Sequence, residues 1–346
     1  MGEIKVIYSA PGRCGIVGNP SDMYGGSVIS CSTKERAYVT VKDYDALEIE
    51  VDGSVRTIRN PGDLHQDGDM FDAVLAAFEY FELENARLHV TVTSDIPVRA
   101  GLSGSTAVMT ALVAALLEWM EVKGIESPEK SAWGDKAYKN HHMLAEIVRH
   151  IELYFLKIVC GYQDAYMCSF GSLNFLDFQG KEHYLSLNRE PLGTVENLKD
   201  CAPPLPVILA HTGVQRISGS VHKPVRDRWI EGDSFVIKSM LRLAHIARMS
   251  KKAILQSDWE LLGEAMTENH EIIRSIGSSS PINEKIIKTA LDSGAIAAKL
   301  AGAGKGGTII ALHPEPDSMI EAFKDAGVNR ILFPEPMDGA RKENNE

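Results

Sequence analysis

Ser103, Gly104 and Ser105 stand between an alternating, β-branched stretch, ARLHVTVTSDIP, and an uninterrupted apolar one, TAVMTALVAALLEWM. The first reads as a strand ending at Pro97 and the second as a mostly buried helix. A helix start carries unpaired N–H groups and the positive end of the helix dipole. With Gly101, Ser103, Gly104 and Ser105 ahead of it, backbone can approach an anion such as phosphate. The same residues would also suit a plain N-cap over a core helix.

A second glycine loop, KLAGAGKGGTIIAL, covers residues 299–312. It fails as a Walker A loop, because Lys305 is followed by Gly306 and Gly307 rather than Ser or Thr. Gly302, Gly304 and Gly307 match G-x-G-x-x-G, yet that fingerprint needs a strand before it and a helix after it. Here helix-like residues precede and TIIAL follows, so a nicotinamide-dependent oxidoreductase is a weak rival. The remaining reading is a tight turn feeding a strand, its backbone packed against the first loop.

Two further stretches carry chemistry. SAPGRCGIVGNPSDMYGG (9–26) sets Arg13, Asn19, Ser21 and Asp22 among small residues beside a strand. IELYFLKIVCGYQDAYMCSFGSLNFLDF (151–178) places Glu152 and Asp164 in an apolar neighbourhood, where ionised carboxylates need a partner. A Mg²⁺ ligand and a hydroxyl-activating base would supply that reason. An exposed helix face for Glu152 and a helix cap for Asp164 would be the structural alternative.

The elements that must hold these residues follow from the patterning. Strands are expected at 4–9, 27–32, 36–42, 46–51, 86–93 and 172–178, and helices at 70–81, 141–158, 226–256, 258–276 and 281–293. A composition suited to a linker puts a boundary near 190–204, giving a first domain over 1–195 and a second over 204–337. The tail 338–346 is expected to be disordered. Strands and helices without strict βαβ alternation indicate an α+β fold.

Composition narrows the partners. The chain has 346 residues, 44% of them hydrophobic, enough for a real core. Its 36 Lys and Arg against 47 Asp and Glu give a net charge of −11, which argues against nucleic acid and anionic membrane. The apolar run 107–117 is too short to span a bilayer, and the first residues do not read as a signal peptide. Five scattered cysteines without C-x-x-C fit neither a disulfide framework nor a zinc site, so a reducing cytoplasm is expected.

In this order the stretches resemble the GHMP kinase superfamily. PGRCGIVGNPSD is similar to its first motif, PVRAGLSGSTA to its phosphate loop and KLAGAGKGG to its C-terminal glycine loop, across residues 10–312. VGNPSDMYGG, GLSGSTA, GYQDAYMCSFGSLNFLDF and SGSVHKPVRDRWIEGDSFVIKSM further resemble the glucuronokinases, and the third of these also resembles bacterial heptose 7-phosphate kinases. Thr106 stands where Ala is usual and Lys305 where Gly is usual.

The resemblance implies a two-domain fold, with an N-terminal ribosomal-protein-S5-like domain and a C-terminal ferredoxin-like domain. It implies ATP and Mg²⁺ as cofactors and a sugar hydroxyl as acceptor, specifically the anomeric hydroxyl of D-glucuronate or a related sugar. A heptose 7-phosphate or mevalonate-type acceptor is the alternative, and a non-catalytic sensor the alternative of another class. Asp164 and Arg13 would be catalytic. Pro97, Gly101, Leu102, Ser103, Gly104, Ser105, Thr106, Gly302, Gly304 and Gly306 would hold ATP, with Ser105 and Glu152 on Mg²⁺. Asn19 and Asp22 would meet sugar hydroxyls, and His222, Arg226 and Arg228 a carboxylate. A monomer or a homodimer is compatible with the sequence.

Overall fold

A long hairpin organises the first half of the chain. Strands β1 (Lys5–Val17) and β2 (Ser27–Asp43) pair antiparallel from Lys5↔Lys42 to Val17↔Ile29. The segments expected at 27–32 and 36–42 are therefore one strand. The register shifts between Pro11 and Arg13, where proline cannot donate to the ladder, and such an irregularity re-aims the next side chain. The computed structural model describes residues 4–127, 139–181, 191–214, 218–302, 304 and 306–344.

Around that hairpin an eight-stranded sheet grows. β3 (Leu47–Val51), β4 (Ser54–Ile58) and β5 (Leu88–Ser94) extend it in the order β1-β2-β5-β3-β4, with β3 and β5 parallel. β6 (Leu173–Asp177) pairs with the first part of β2, and β7 (Thr194–Asn197) with β6. The last strand, β12 (Arg341–Lys342), pairs with Tyr8 and Ser9 on the free side of β1. This corrects the expectation of a disordered tail for residues 338–344, the chain's last two lying outside the described residues: Arg36, reaching from β2, donates to the carbonyls of Asp338 and Gly339 at 2.7 Å each. The tail's charged composition suggested solvent, but its backbone satisfies a sheet edge.

Helices α1 (Asp72–Tyr80), α2 (Gly104–Lys123), α3 (His141–His150) and α4 (Gln163–Phe170) accompany this sheet. α2 is apolar almost all round and its buried side chains pack on β1 and β2, as such a composition requires. It stops at Gly124, in the left-handed conformation with φ 69°. The helix expected over 141–158 ends sooner. After α3 the chain widens into a π turn, Ile151–Phe155, closed by Leu156 N donating to Ile151 O at 3.0 Å. Widened turns of this kind gather at functional sites, and this one carries Glu152.

The second half builds a four-stranded antiparallel sheet, β11-β8-β10-β9, from β8 (Val207–His211), β9 (Ala297–Leu300), β10 (Thr308–Leu312) and β11 (Arg330–Leu332). The first sheet's strand β7 thus ends at Asn197 and the second sheet opens at Val207. Helices α5 (Ser218–Ile230), α6 (Ser234–Leu255), α7 (Trp259–Ser275), α8 (Pro281–Asp292) and α9 (Ile320–Asp325) complete it. The long helix expected over 226–256 is interrupted at Gly232, where φ is 82°, and restarts behind Asp233, whose side chain caps Phe235 and Val236.

Candidate active site

A cavity of about 750 Å³ is lined by β1, the loop and helix start at 101–106, the π turn, α4 and, from the second half, His222 and Gly302. Its central feature is an ion pair. Arg13 is buried, and its Nε and Nη2 both donate to Oδ1 of Asp164, at 2.8 and 2.5 Å. Its Nη1 donates to Gly101 O at 2.7 Å, tying the pair to the glycine loop. Burial works against the guanidinium charge, but the Asp164 charge and hydrogen bonds outweigh it, so the Arg13 pKa lies above its ordinary value. Because both bonds fall on one oxygen, Oδ2 of Asp164 has no partner among the described residues.

Beside this pair, Asp22 caps α4 from a distant part of the chain. Its Oδ2 accepts from the backbone N–H of Tyr162 and Gln163 at 2.8 and 3.0 Å. The approach requires glycine at 161, where a Cβ would lie 2.0 Å from that oxygen. Burial pushes the Asp22 carboxyl up, against the two amides that favour its charge. Asn19 is fixed by Lys299, which is fully buried on β9 and donates to Asn19 Oδ1 at 3.0 Å, Gly15 O at 3.4 Å and Leu300 O at 2.5 Å. With no carboxylate in that set, burial pulls the Lys299 ammonium down to about 7.

At the start of α2 the loop behaves as its residue types suggest. Ser103 is the N-cap in the left-handed region, with φ 61°, and its side chain makes no capping bond. Its Oγ is buried without a partner among the described residues, although the residue lines the cavity. No acidic residue lies within the first turn of α2 itself, although Glu152 is bonded to that turn through Thr106. An anion at this point would meet the Ser103 hydroxyl and the open N–H groups of the helix start.

Glu152 faces the same region, and the pairing expected for it changes. Thr106, not Ser105, donates to Glu152 Oε1, at 2.7 Å, while Ser105 is exposed in the cavity. Burial pushes the Glu152 carboxyl up to about 7, and the Thr106 bond acts in the opposite sense. Among the described residues no cluster of three His, Cys, Asp or Glu could hold a metal. One buried carboxylate and a nearby hydroxyl suit Mg²⁺, which commonly takes one or two protein ligands plus substrate phosphates and water. Burial alone would leave that carboxyl partly protonated near neutral pH, and a bound cation would hold it ionised.

Other expected contacts do not reach the cavity. Leu102 is buried, its carbonyl accepting from Arg13 N at 3.0 Å, and Pro97 O accepts from Ala100 N at 3.3 Å in a turn. The loop after β9 joins two antiparallel strands, so the helix-like residues expected ahead of it form a strand instead, and the dinucleotide fingerprint still lacks the helix that must follow it. Of its glycines only Gly302 lines the cavity. Gly306 is held by Asn283, accepting its N–H at 2.9 Å and donating to its carbonyl at 3.1 Å, and Gly304 packs on Ser278. The loop does support the first one, since Thr308 Oγ1 donates to Ala100 O at 2.9 Å. Lys305 lies outside the described residues.

The carboxylate candidates separate as well. Arg228 is engaged by Asp233 at 2.8 Å, bracing the α5–α6 turn, which removes it from the cavity. Arg226 does not line the cavity: its Nη2 donates to Asp227 at 3.3 Å and its Nε is buried without a partner among the described residues. His222 lines the cavity itself. Motif reading passed over Lys299 and Arg99. Lys299 opens the quoted glycine stretch, and nothing in one sequence marks a lysine as buried. Arg99 lay within the quoted loop, where its charge was the available signal.

Residues 70–172 match the GHMP kinases N terminal domain and residues 250–329 the GHMP kinases C terminal, together more than half of the chain. Probable glucuronokinase 2 of Arabidopsis thaliana is 29% identical over 338 residues, covering 90% of this chain and 86% of that protein. The mevalonate kinase of Thermococcus gammatolerans is 26% identical over 365 residues, covering 98% and 99%. Lactococcus lactis galactokinase complexed with galactose shares the fold at a TM-score of 0.74 and 15% identity, covering 98% of this chain and 95% of that one. Both domains of one family, in order around one cavity, make this chain a GHMP-family small-molecule kinase.

Proposed function

We propose that the chain transfers the γ-phosphoryl group of ATP to the anomeric hydroxyl of D-glucuronate or a related sugar acid. The observation that carries this reading is the Arg13–Asp164 pair in the cavity wall, joined through Gly101 to the loop that starts α2. Phosphoryl transfer asks a protein mainly for positioning and charge neutralisation. The α2 N-terminus with Ser103 and Ser105 would hold the phosphates, and Glu152 with Ser105 the Mg²⁺, which neutralises phosphate charge when bound. Asp164 would use Oδ2 to orient the acceptor hydroxyl or take its proton, while Arg13 keeps the carboxylate in place and adds positive charge beside the transferred group. Asp22, Asn19 and His222 would frame the sugar.

The uronate rests on the glucuronokinase relatives, and on His222 in the cavity lining and the incompletely bonded Arg226 four residues on as donors for a carboxylate. The test is Mg²⁺-dependent ATP consumption across D-glucuronate, D-galacturonate, galactose, a heptose phosphate and mevalonate. Turnover on a uronate alone is expected, with Arg226→Ala raising KM for the uronate. Turnover confined to mevalonate or a neutral sugar would contradict the acceptor and leave the kinase class intact.

A further inference from the structure

A β-turn over residues 97–100 precedes the phosphate loop, closed by Ala100 N donating to Pro97 O at 3.3 Å. Arg99 holds its third position with φ 53°, a left-handed conformation that this turn position normally gives to glycine or asparagine. A long charged side chain in such a backbone is a local conflict of the kind that gathers at functional sites. The side chain is exposed, lines the cavity together with Ser103, Gly104 and Ser105, and has no hydrogen-bond or ion-pair partner among the described residues. Arg13, the other arginine lining the cavity, is already committed to Asp164 and Gly101.

Three features therefore fall within residues 99–104 of the cavity lining: an exposed guanidinium and a buried Ser103 hydroxyl, each without a partner among the described residues, and the start of α2, whose first turn contains no acid of its own and bonds Glu152 only through Thr106. The guanidinium and the helix start favour negative charge, and the hydroxyl can donate to it. We infer that Arg99 binds the phosphate tail of the nucleotide, adding a side-chain cation to a loop that otherwise works through backbone and hydroxyls. The inference rests on the kinase reading above. Its turn is anchored from the second half by the Thr308 bond to Ala100 O, which holds the guanidinium's base in place.

Arg99→Gly separates this role from folding, because glycine suits the turn's backbone and removes only the side chain. Calorimetric titration of the full chain with ATP, ADP and adenosine, alongside thermal unfolding, makes the test. Arg99→Gly is expected to weaken ATP and ADP about tenfold, one charge-assisted contact, with adenosine unchanged and the unfolding midpoint unchanged or higher. Arg99→Lys should recover part of the loss. Unaltered ATP affinity in Arg99→Gly would overturn the inference, as would a rise in KM for the sugar acid alone, which would move Arg99 to the acceptor. A wild-type chain that binds no ATP would overturn the kinase reading and this inference together.

Discussion

The two glycine-rich loops look alike on the page and are used in opposite ways. The loop at 101–106 keeps its small residues open to the cavity: Ser103 Oγ lacks a partner, Ser105 is exposed, and a Cβ on Gly104 would meet nothing nearer than Ile96 at 3.4 Å. The loop after β9 uses its glycines for close packing. A Cβ on Gly304 would lie 1.9 Å from Ser278 O, and φ there is 99°. Smallness thus serves ligand approach in one loop and backbone approach in the other. Only the neighbouring chain decides which.

That contrast can be broken at several points. Gly304→Ala should destabilise the fold by about 3 kcal/mol through strain and overlap, read as a lowered denaturant midpoint, and an unchanged midpoint would remove the packing role. Lys299, at the base of the same loop, gives a pH signature. Its folded pKa of about 7 lies below the ordinary lysine value, so above pH 7 the native state binds fewer protons than the unfolded one and stability rises with pH. Below pH 7 both states are protonated and the cost of burying the ammonium is constant. Relative to Lys299→Met, the wild type should gain roughly 2 kcal/mol between about pH 7 and 9, and parallel stability curves would contradict a depressed ammonium.

The open loop should show the reverse pattern, with function affected and folding spared. Glu152→Gln should raise the Mg²⁺ concentration for half-maximal turnover about tenfold, near 1.4 kcal/mol, and a superimposable metal titration would exclude it as a ligand. Gly104→Ala should leave stability equal or up to about 1 kcal/mol higher, since alanine favours helix, while its methyl weakens ATP binding severalfold. Lost stability with intact ATP binding would make the two loops equivalent.

What the sequence disclosed and what it hid divide along physical lines. The apolar run of α2 and its Gly/Ser approach were legible because periodicity and small residues are local properties. That Arg13 and Asp164, 151 positions apart, serve one site was implied by a family resemblance, but their ion pair could not be read from spacing. Glu152 was marked by its apolar surroundings, yet Thr106 as its partner depended on where the π turn set the carboxylate. Arg228 misled because a basic pair two residues apart says nothing of Asp233 across the turn. The tail misled because composition cannot show that β1 leaves an edge for β12.

In the proposed reaction Asp164, held by Arg13, acts on the acceptor. Asp164→Asn keeps an oxygen for Arg13 and removes the carboxylate, so steady-state turnover with ATP and the best acceptor, read beside ATP affinity, tests it directly. The expected result is a loss of about 10²- to 10⁴-fold in kcat with ATP affinity within about twofold of the wild type. Turnover within about tenfold of the wild type would contradict it and leave Asp164 only the task of holding Arg13.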